Sequence, residues 1–275
     1  MRLNPSDPPG QEPAITPYLS SRPATEPRLR VFCFHHAGGS ASVFGGWQTI
    51  LGRSAEVLPV QLPGREKRIR EPRITEMTVL TAELERHLGP FLRRPYVFYG
   101  HSMGALIAYN LTRLLLADGR PAPEMLLVGA CAAPHLRPVP PGVEDLPDDE
   151  LAAWLIQMGG MSALLLDYPD WLRAATALAR DDLVLCCGHQ YSDFPPLLCP
   201  IQAFAGQADN MLPAEAVRAW AQHTQALDDL RQVSGDHLFI RDPANSFFTQ
   251  LALVLERVTE TAQDEEGVRR HDKRA

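Results

Sequence analysis

The run YVFYGHSMGALIAYN, residues 96–110, joins an apolar strand to an apolar helical stretch through one serine flanked by Gly100 and Gly104. Few folds tolerate such a junction. A strand that turns at once into a buried helix brings two backbones within contact, and glycine, lacking a Cβ, permits that approach. In this context G-x-S-x-G describes an elbow that lifts a serine hydroxyl above a sheet edge and sets it at a helix N-terminus. There the amide of Met103 points at any oxyanion that develops on a substrate, with the helix dipole in support. The five-residue pattern alone occurs by chance. With YVFY before it and ALIAYNLTRLLLA after it, the required context is present.

The rest of the chain repeats the alternation. Apolar runs LRVFCFHHA, VLPVQL, YVFYG, EMLLVGACAA, IQAFAG and LRQVSG read as strands, and residues 78–91, 103–117, 215–223 and 246–258 read as helices. Strand–helix alternation of this kind predicts an α/β fold, with a mostly parallel sheet and helices on both faces. One segment departs from it: residues 137–189 are helical throughout and open with PVPPGVEDLPDDE. They read as an insertion over the sheet, rich in Met, Leu and Trp, of which Met158, Met161 and Leu164 are candidates to line an apolar chamber. Residues 1–27 are rich in Pro, Ser and Glu and read as a mobile leader; residues 261–275 are almost wholly polar and read as a frayed tail. The folded domain is then expected over residues 28–260.

A serine hydroxyl is a poor nucleophile until a base takes its proton. On an elbow fold the partners follow in the order serine, acid, histidine, each just after a later strand. After IQAFAG comes Asp209, and after LRQVSG comes His237. His237 is therefore the candidate general base and later acid, and Asp209 the residue that orients it. Asp236 is the competing carboxylate, but sequence neighbours on a tight turn seldom aim at each other. Of the other histidines, His101 should diverge from the hydroxyl beside it, and His223 reads as a surface residue of a helix. A second strand end carries His35-His36-Ala37-Gly38-Gly39. Its small residues let a backbone amide, that of Ala37, approach a substrate carbonyl as the second oxyanion donor beside Met103.

Taken together, the early HAGGS, the QLPGRE of residues 61–66, the elbow GHSMGA and the late GQAD…GDH pair resemble the stand-alone type II thioesterases of polyketide and nonribosomal peptide synthesis. The likeness spreads over residues 30–258. It implies an α/β-hydrolase with a helical lid, in agreement with the insertion read above. It also implies hydrolysis of acyl groups from the phosphopantetheine arm of acyl or peptidyl carrier protein domains, through an acyl-serine, with no metal or organic cofactor. A chain-releasing or cyclising thioesterase and a general acyl-CoA or carboxylester hydrolase are the alternative enzyme readings; a catalytically silent carrier-binding protein is a third class, disfavoured by the full serine, acid, histidine order. Where the family commonly has Pro before the HAGG histidine, this chain has His35.

Composition narrows the partners. A net charge of -7 and a pI near 5.7 argue against a general nucleic-acid binder. No apolar run is long enough to span a bilayer, and no signal-peptide pattern opens the chain, so a cytoplasmic location is expected. The five cysteines lack metal-ligand spacing, and nothing demands more than a monomer. A basic cluster, Arg65, Lys67, Arg68, Arg70 and Arg73, reads first as a solvated loop. Its other reading is a contact for an acidic carrier domain or the pantetheine phosphate.

Overall fold

The computed structural model describes residues 16–25, 27–92, 95–136 and 139–272. Six strands form one fully parallel sheet: β1 (Arg30–Phe34), β2 (Glu56–Pro59), β3 (Tyr96–His101), β4 (Met125–Gly129), β5 (Ile201–Gly206) and β6 (Leu227–Val233), in the order β2-β1-β3-β4-β5-β6. Both faces are covered, which is why the central strands are continuous apolar runs. Alternate residues sort to opposite cores. Phe32, Phe34, Phe98, Leu126 and Val128 pack toward α2 (Met77–Leu88) and α3 (Met103–Ala117). Val31, Cys33, Val97, Tyr99 and Leu127 pack toward Trp47 and Leu51 of α1 (Trp47–Leu51) and Phe247 and Leu251 of the last helix. These are the helices on both faces that the alternation predicts.

The strand order locates the site. From β1 the chain steps outward to β2, then returns to the other side of β1 to lay down β3. Such a reversal leaves a crevice beyond the carboxyl ends of the two strands. The segments that open into it are His35–Gly39 after β1 and Ser102 after β3.

The segment between β4 and β5 is helical, with α4 (Asp148–Gln157) and α5 (Pro169–Cys187) lying over the sheet's carboxyl end. These helices carry a small core of their own, in which Leu151, Leu155, Met161 and Leu183 meet. The short α6 (Ala214–Arg218) follows β5, and α7 (Ser246–Asp272) closes the described chain. Among the described residues, no helix is long and apolar enough to cross a membrane.

Four expectations differ from the structure. Within the leader, Tyr18 and Leu19 are buried, and Leu19 bridges Val60, while Arg68 lies 4.1 Å above the Tyr18 ring. Two apolar residues are too short a run to register as a pattern; residues 1–15 lie outside the described chain. The tail is not frayed where described, because α7 continues to Asp272. Gln263, Glu265, Glu266, Arg269 and Arg270 are good helix formers, a property that hydrophobic periodicity ignores. His223 is buried rather than on a surface, with His135 Nδ1 2.7 Å from its Nε2. The basic cluster is mostly not a free surface. Arg65 and Arg68 are buried, paired with Asp182 and Glu71, and Arg73 pairs with Asp181. Only Lys67 and Arg70 of the five are exposed.

Two consequences are measurable. A Cβ on Gly104 would sit 2.0 Å from the Phe34 carbonyl oxygen. Gly104→Ala is expected to lower the unfolding free energy by about 3 kcal/mol in a urea titration, although helix propensity alone favours Ala by about 1 kcal/mol; a more stable variant would contradict the close approach. The second concerns His35 and His36, which burial and neighbouring positive charge hold neutral, each lowered from 6.5 to about 3. Between those values the unfolded chain binds protons that the folded chain does not. Stability is therefore full above about pH 6.5 and falls as pH drops toward 3, by about 1.4 kcal/mol per pH unit for each histidine. Equal urea midpoints at pH 6 and pH 5, where few carboxylates titrate, would refute this.

Candidate active site

Ser102 occupies the turn between β3 and α3 with φ 52 and ψ -116, a conformation that side chains other than glycine rarely adopt. Holding a serine there costs on the order of 1–3 kcal/mol, met by the surrounding packing. Its amide donates to the Gly129 carbonyl at 2.8 Å and its carbonyl accepts from Ala105, so both ends of the turn are fastened. Gly100 and Gly104 touch each other's backbone: a Cβ on Gly100 would lie 2.2 Å from the Gly104 oxygen. As the first residue of α3, Met103 has an amide with no acceptor inside the helix, and the residue lines the crevice.

The three side chains that the order of strands singles out meet here. The Ser102 hydroxyl donates to His237 Nε2 at 3.1 Å, and His237 Nδ1–H donates to Asp209 Oδ2 at 2.8 Å. Asp209 Oδ1 accepts from the amides of Met211 and Leu212, each at 3.1 Å, which fixes the carboxylate. Burial pushes the Asp209 carboxyl up, but the hydrogen bond and charge of His237 and the two amides outweigh it and hold the group below its ordinary value. Asp236 turns elsewhere, accepting from the Leu238 amide at 2.8 Å and so shaping the loop that carries His237.

His101 has a part that its position in sequence does not reveal. It is fully buried, and Nε2–H donates to the His237 carbonyl at 2.7 Å. A carbonyl only accepts, so Nδ1 is the acceptor, and the Tyr99 hydroxyl donates to it at 2.9 Å. Burial, His237 and His36 hold His101 far below the usual histidine range, and it stays neutral. The side chain does diverge from Ser102, as expected, and in doing so it pins the backbone of the general-base candidate.

Ser102, His237, Ala37 and Met103 all line one chamber that opens to solvent. Leu106, Cys131, Trp154, Met158, Leu183 and Cys186 are among its apolar walls. Of the lid candidates, Met158 lines the chamber. Met161 does not: it is buried in the lid's own core. Leu164 is 72% exposed, because residues Ala163–Asp167 form a short 3-10 turn that packs Leu165 against the lid core and leaves Leu164 outward. Among the described residues, no group of three or more His, Cys, Asp or Glu is arranged to hold a metal ion.

A serine, a histidine and a carboxylate hydrogen-bonded in series can carry acyl transfer. Relatives agree. Over residues 29–257 the chain matches the thioesterase domain family. It is 34% identical to the protein named linear gramicidin dehydrogenase LgrE of Brevibacillus parabrevis, over 81% of this chain and 86% of that one. RedJ, a thioesterase from the prodiginine biosynthetic pathway in Streptomyces coelicolor, superposes with a TM-score of 0.78 at 33% identity, covering 85% of this chain and 95% of that one. BorB, a type II thioesterase from the borrelidin biosynthetic cluster, superposes with a TM-score of 0.75 at 31% identity, covering 85% and 95%. The sheet, the lid and the matched length leave one conclusion: this chain is an α/β-hydrolase of the thioesterase domain family.

Proposed function

We propose that this chain is a type II thioesterase that clears acyl groups from the phosphopantetheine arm of acyl or peptidyl carrier protein domains. The observation that carries the reading is the hydrogen-bonded series Ser102–His237–Asp209 at the floor of an apolar, lidded chamber. Relatives named as thioesterases of biosynthetic clusters, beside the HAGGS, QLPGRE and GHSMGA resemblance, support the carrier-bound substrate class.

Each step follows from groups already placed. The Ser102 oxygen adds to the thioester carbon as its proton passes to His237 Nε2. Negative charge on the former carbonyl oxygen is met by the amides of Ala37 and Met103; losing one such donor costs about 10²–10³-fold in rate. Asp209 stabilises the imidazolium through Nδ1–H without taking the proton. The tetrahedral intermediate collapses, the C–S bond breaks, and the sulfur takes the proton from His237 Nε2 and leaves as the thiol, which returns the imidazole to its neutral form. Water then gives a proton to the same nitrogen as it adds to the acyl-serine, and the second collapse returns that proton to Ser102 and releases the carboxylic acid. Serine, histidine and water carry every proton, so the cycle calls on no metal or organic cofactor.

Apolar walls such as Leu106, Trp154 and Met158 suit an acyl chain, and a single methylene is worth only about 1–3 kcal/mol in such a pocket. Loose chain-length selectivity is the outcome expected of an enzyme that removes varied stalled units.

The test is the intact mass of an acetyl-loaded carrier protein incubated with this chain or with Ser102→Ala. Loss of acetyl with the wild type, and at least about a thousandfold slower loss with Ser102→Ala, is the expected result. Turnover of acyl-CoA or simple esters with none of the acyl carrier would overturn the carrier reading in favour of a general hydrolase.

A further inference from the structure

Beside the chamber, between lid and sheet, lies a polar contact with no access to substrate. Its centre is Asp182 on α5, 3% exposed. Asp182 Oδ2 accepts from the Gly38 amide at 2.8 Å and from Arg65 Nη1 at 2.8 Å, and Oδ1 accepts from Arg65 Nη2 at 2.8 Å. Arg65, 4% exposed, also donates to the carbonyls of Gly39 at 3.1 Å and Pro63 at 3.3 Å. A buried ion pair is a poor device for stability alone, since apolar residues of similar volume often do as well or better. What an apolar pair cannot do is accept the Gly38 amide.

Gly38 is the residue after Ala37. It has φ +72, and a Cβ there would meet Ala179 of α5 at 3.4 Å. The turn it belongs to is closed by the Gly39 amide donating to the His36 carbonyl at 3.0 Å. The Gly38 N–H held by Asp182 fixes the plane of the Ala37–Gly38 peptide, and the His36 carbonyl held by Gly39 fixes the preceding His36–Ala37 peptide, which carries the Ala37 N–H. The two restraints on either side of the Ala37 Cα together set the direction of that amide. The neighbouring contacts serve the same loop. Gln61 Oε1 accepts from the Ala41 amide at 3.3 Å, and Glu66 Oε1 accepts from the Ser40 hydroxyl at 2.6 Å and the Ser42 amide at 3.2 Å. The QLPGRE segment is thus a brace under HAGGSAS.

We infer that Asp182, held by Arg65, is a positioning residue for the reaction: it aims the Ala37 amide, so the oxyanion hole is complete only while the lid helix α5 is docked on the loop after β1. This rests on the reading of Ala37 as an oxyanion donor given above. The lid is then part of the catalytic apparatus as well as a wall of the chamber.

The test uses the full chain with Asp182→Asn and Asp182→Glu. The first removes the charge; the second keeps the carboxylate and its pairing with Arg65 but displaces it by one methylene from the Gly38 amide. Rates are measured with an acyl-N-acetylcysteamine thioester, and affinity with a trifluoromethyl ketone of the same acyl chain, whose serine adduct places an oxyanion in the hole. In both variants kcat is expected to fall about 10- to 100-fold with KM within about threefold, and inhibitor affinity to weaken by the same factor as kcat/KM. Variants that melt like the wild type and keep kcat and inhibitor affinity would overturn the inference. So would a loss confined to KM, which marks a role in lid packing only. If neither variant folds, amide exchange in the wild-type protein decides: a Gly38 amide that exchanges as fast as a solvent-facing loop amide is not held by Asp182, whereas strong protection supports the anchor. Wild-type turnover that disappears in Ser102→Ala is measured alongside, and failure of that control counts against the proposed function rather than against Asp182.

Discussion

Everything at this site hangs on how closely β1, β3 and α3 approach one another. The Gly104 Cα lies against the Phe34 and His35 carbonyls, and Gly100 lies against the Gly104 backbone. No residue with a Cβ fits either place without displacing main chain. That contact holds Ser102 at positive φ and seats the end of β1 beside it. The strand order does the rest, since the reversal between β1 and β3 opens the crevice where these two ends meet. The geometry suits thioesterase chemistry: a serine raised above the sheet, with a histidine from the loop after a later strand at hydrogen-bond distance.

A second layer of polar contacts keeps the loops in place. Asp209 is fixed by two amides, His237 by His101 through its backbone carbonyl, and the loop after β1 by Asp182, Arg65, Gln61 and Glu66. Each of these contacts holds a loop, where a hydrophobic core offers no directional restraint. Directional hydrogen bonds from buried groups do, and the low exposure of Asp182, Arg65 and His101 means that water does not compete for them. The lid takes part as well. Arg241, on the turn after His237, donates to the Gly159 carbonyl at 2.6 Å, which ties the base loop to the end of α4.

Local pattern in the chain carries the six strands, the helix 103–117 and the order of Ser102, Asp209 and His237, because each is a repeated or spaced signal. The same logic reaches Ala37 and Met103 through the ends of their strands. It does not reach α1, five residues long with three apolar side chains, nor the docking of Tyr18, where two residues act alone. It misplaces Leu164, since facing the chamber or solvent depends on which lid turn lies beneath. It also reads Arg65 as surface charge, because its partner Asp182 stands 117 positions away. Periodicity reports which face of an element is apolar; it carries nothing about a single long-range pair. The QLPGRE motif is legible as a family mark, while its work, bracing the loop after β1, is visible only in three dimensions.

The central claim is that Ser102 carries the acyl group, in a chamber that Cys131 and Cys186 also line. Rapid acid quench of wild-type enzyme mixed with acyl-loaded carrier, followed by peptide mapping by mass, tests it directly. The account predicts the acyl mass on the peptide that contains Ser102, appearing before free acid is released. Acyl mass on Cys131 or Cys186, with Ser102 unmodified throughout turnover, would contradict it.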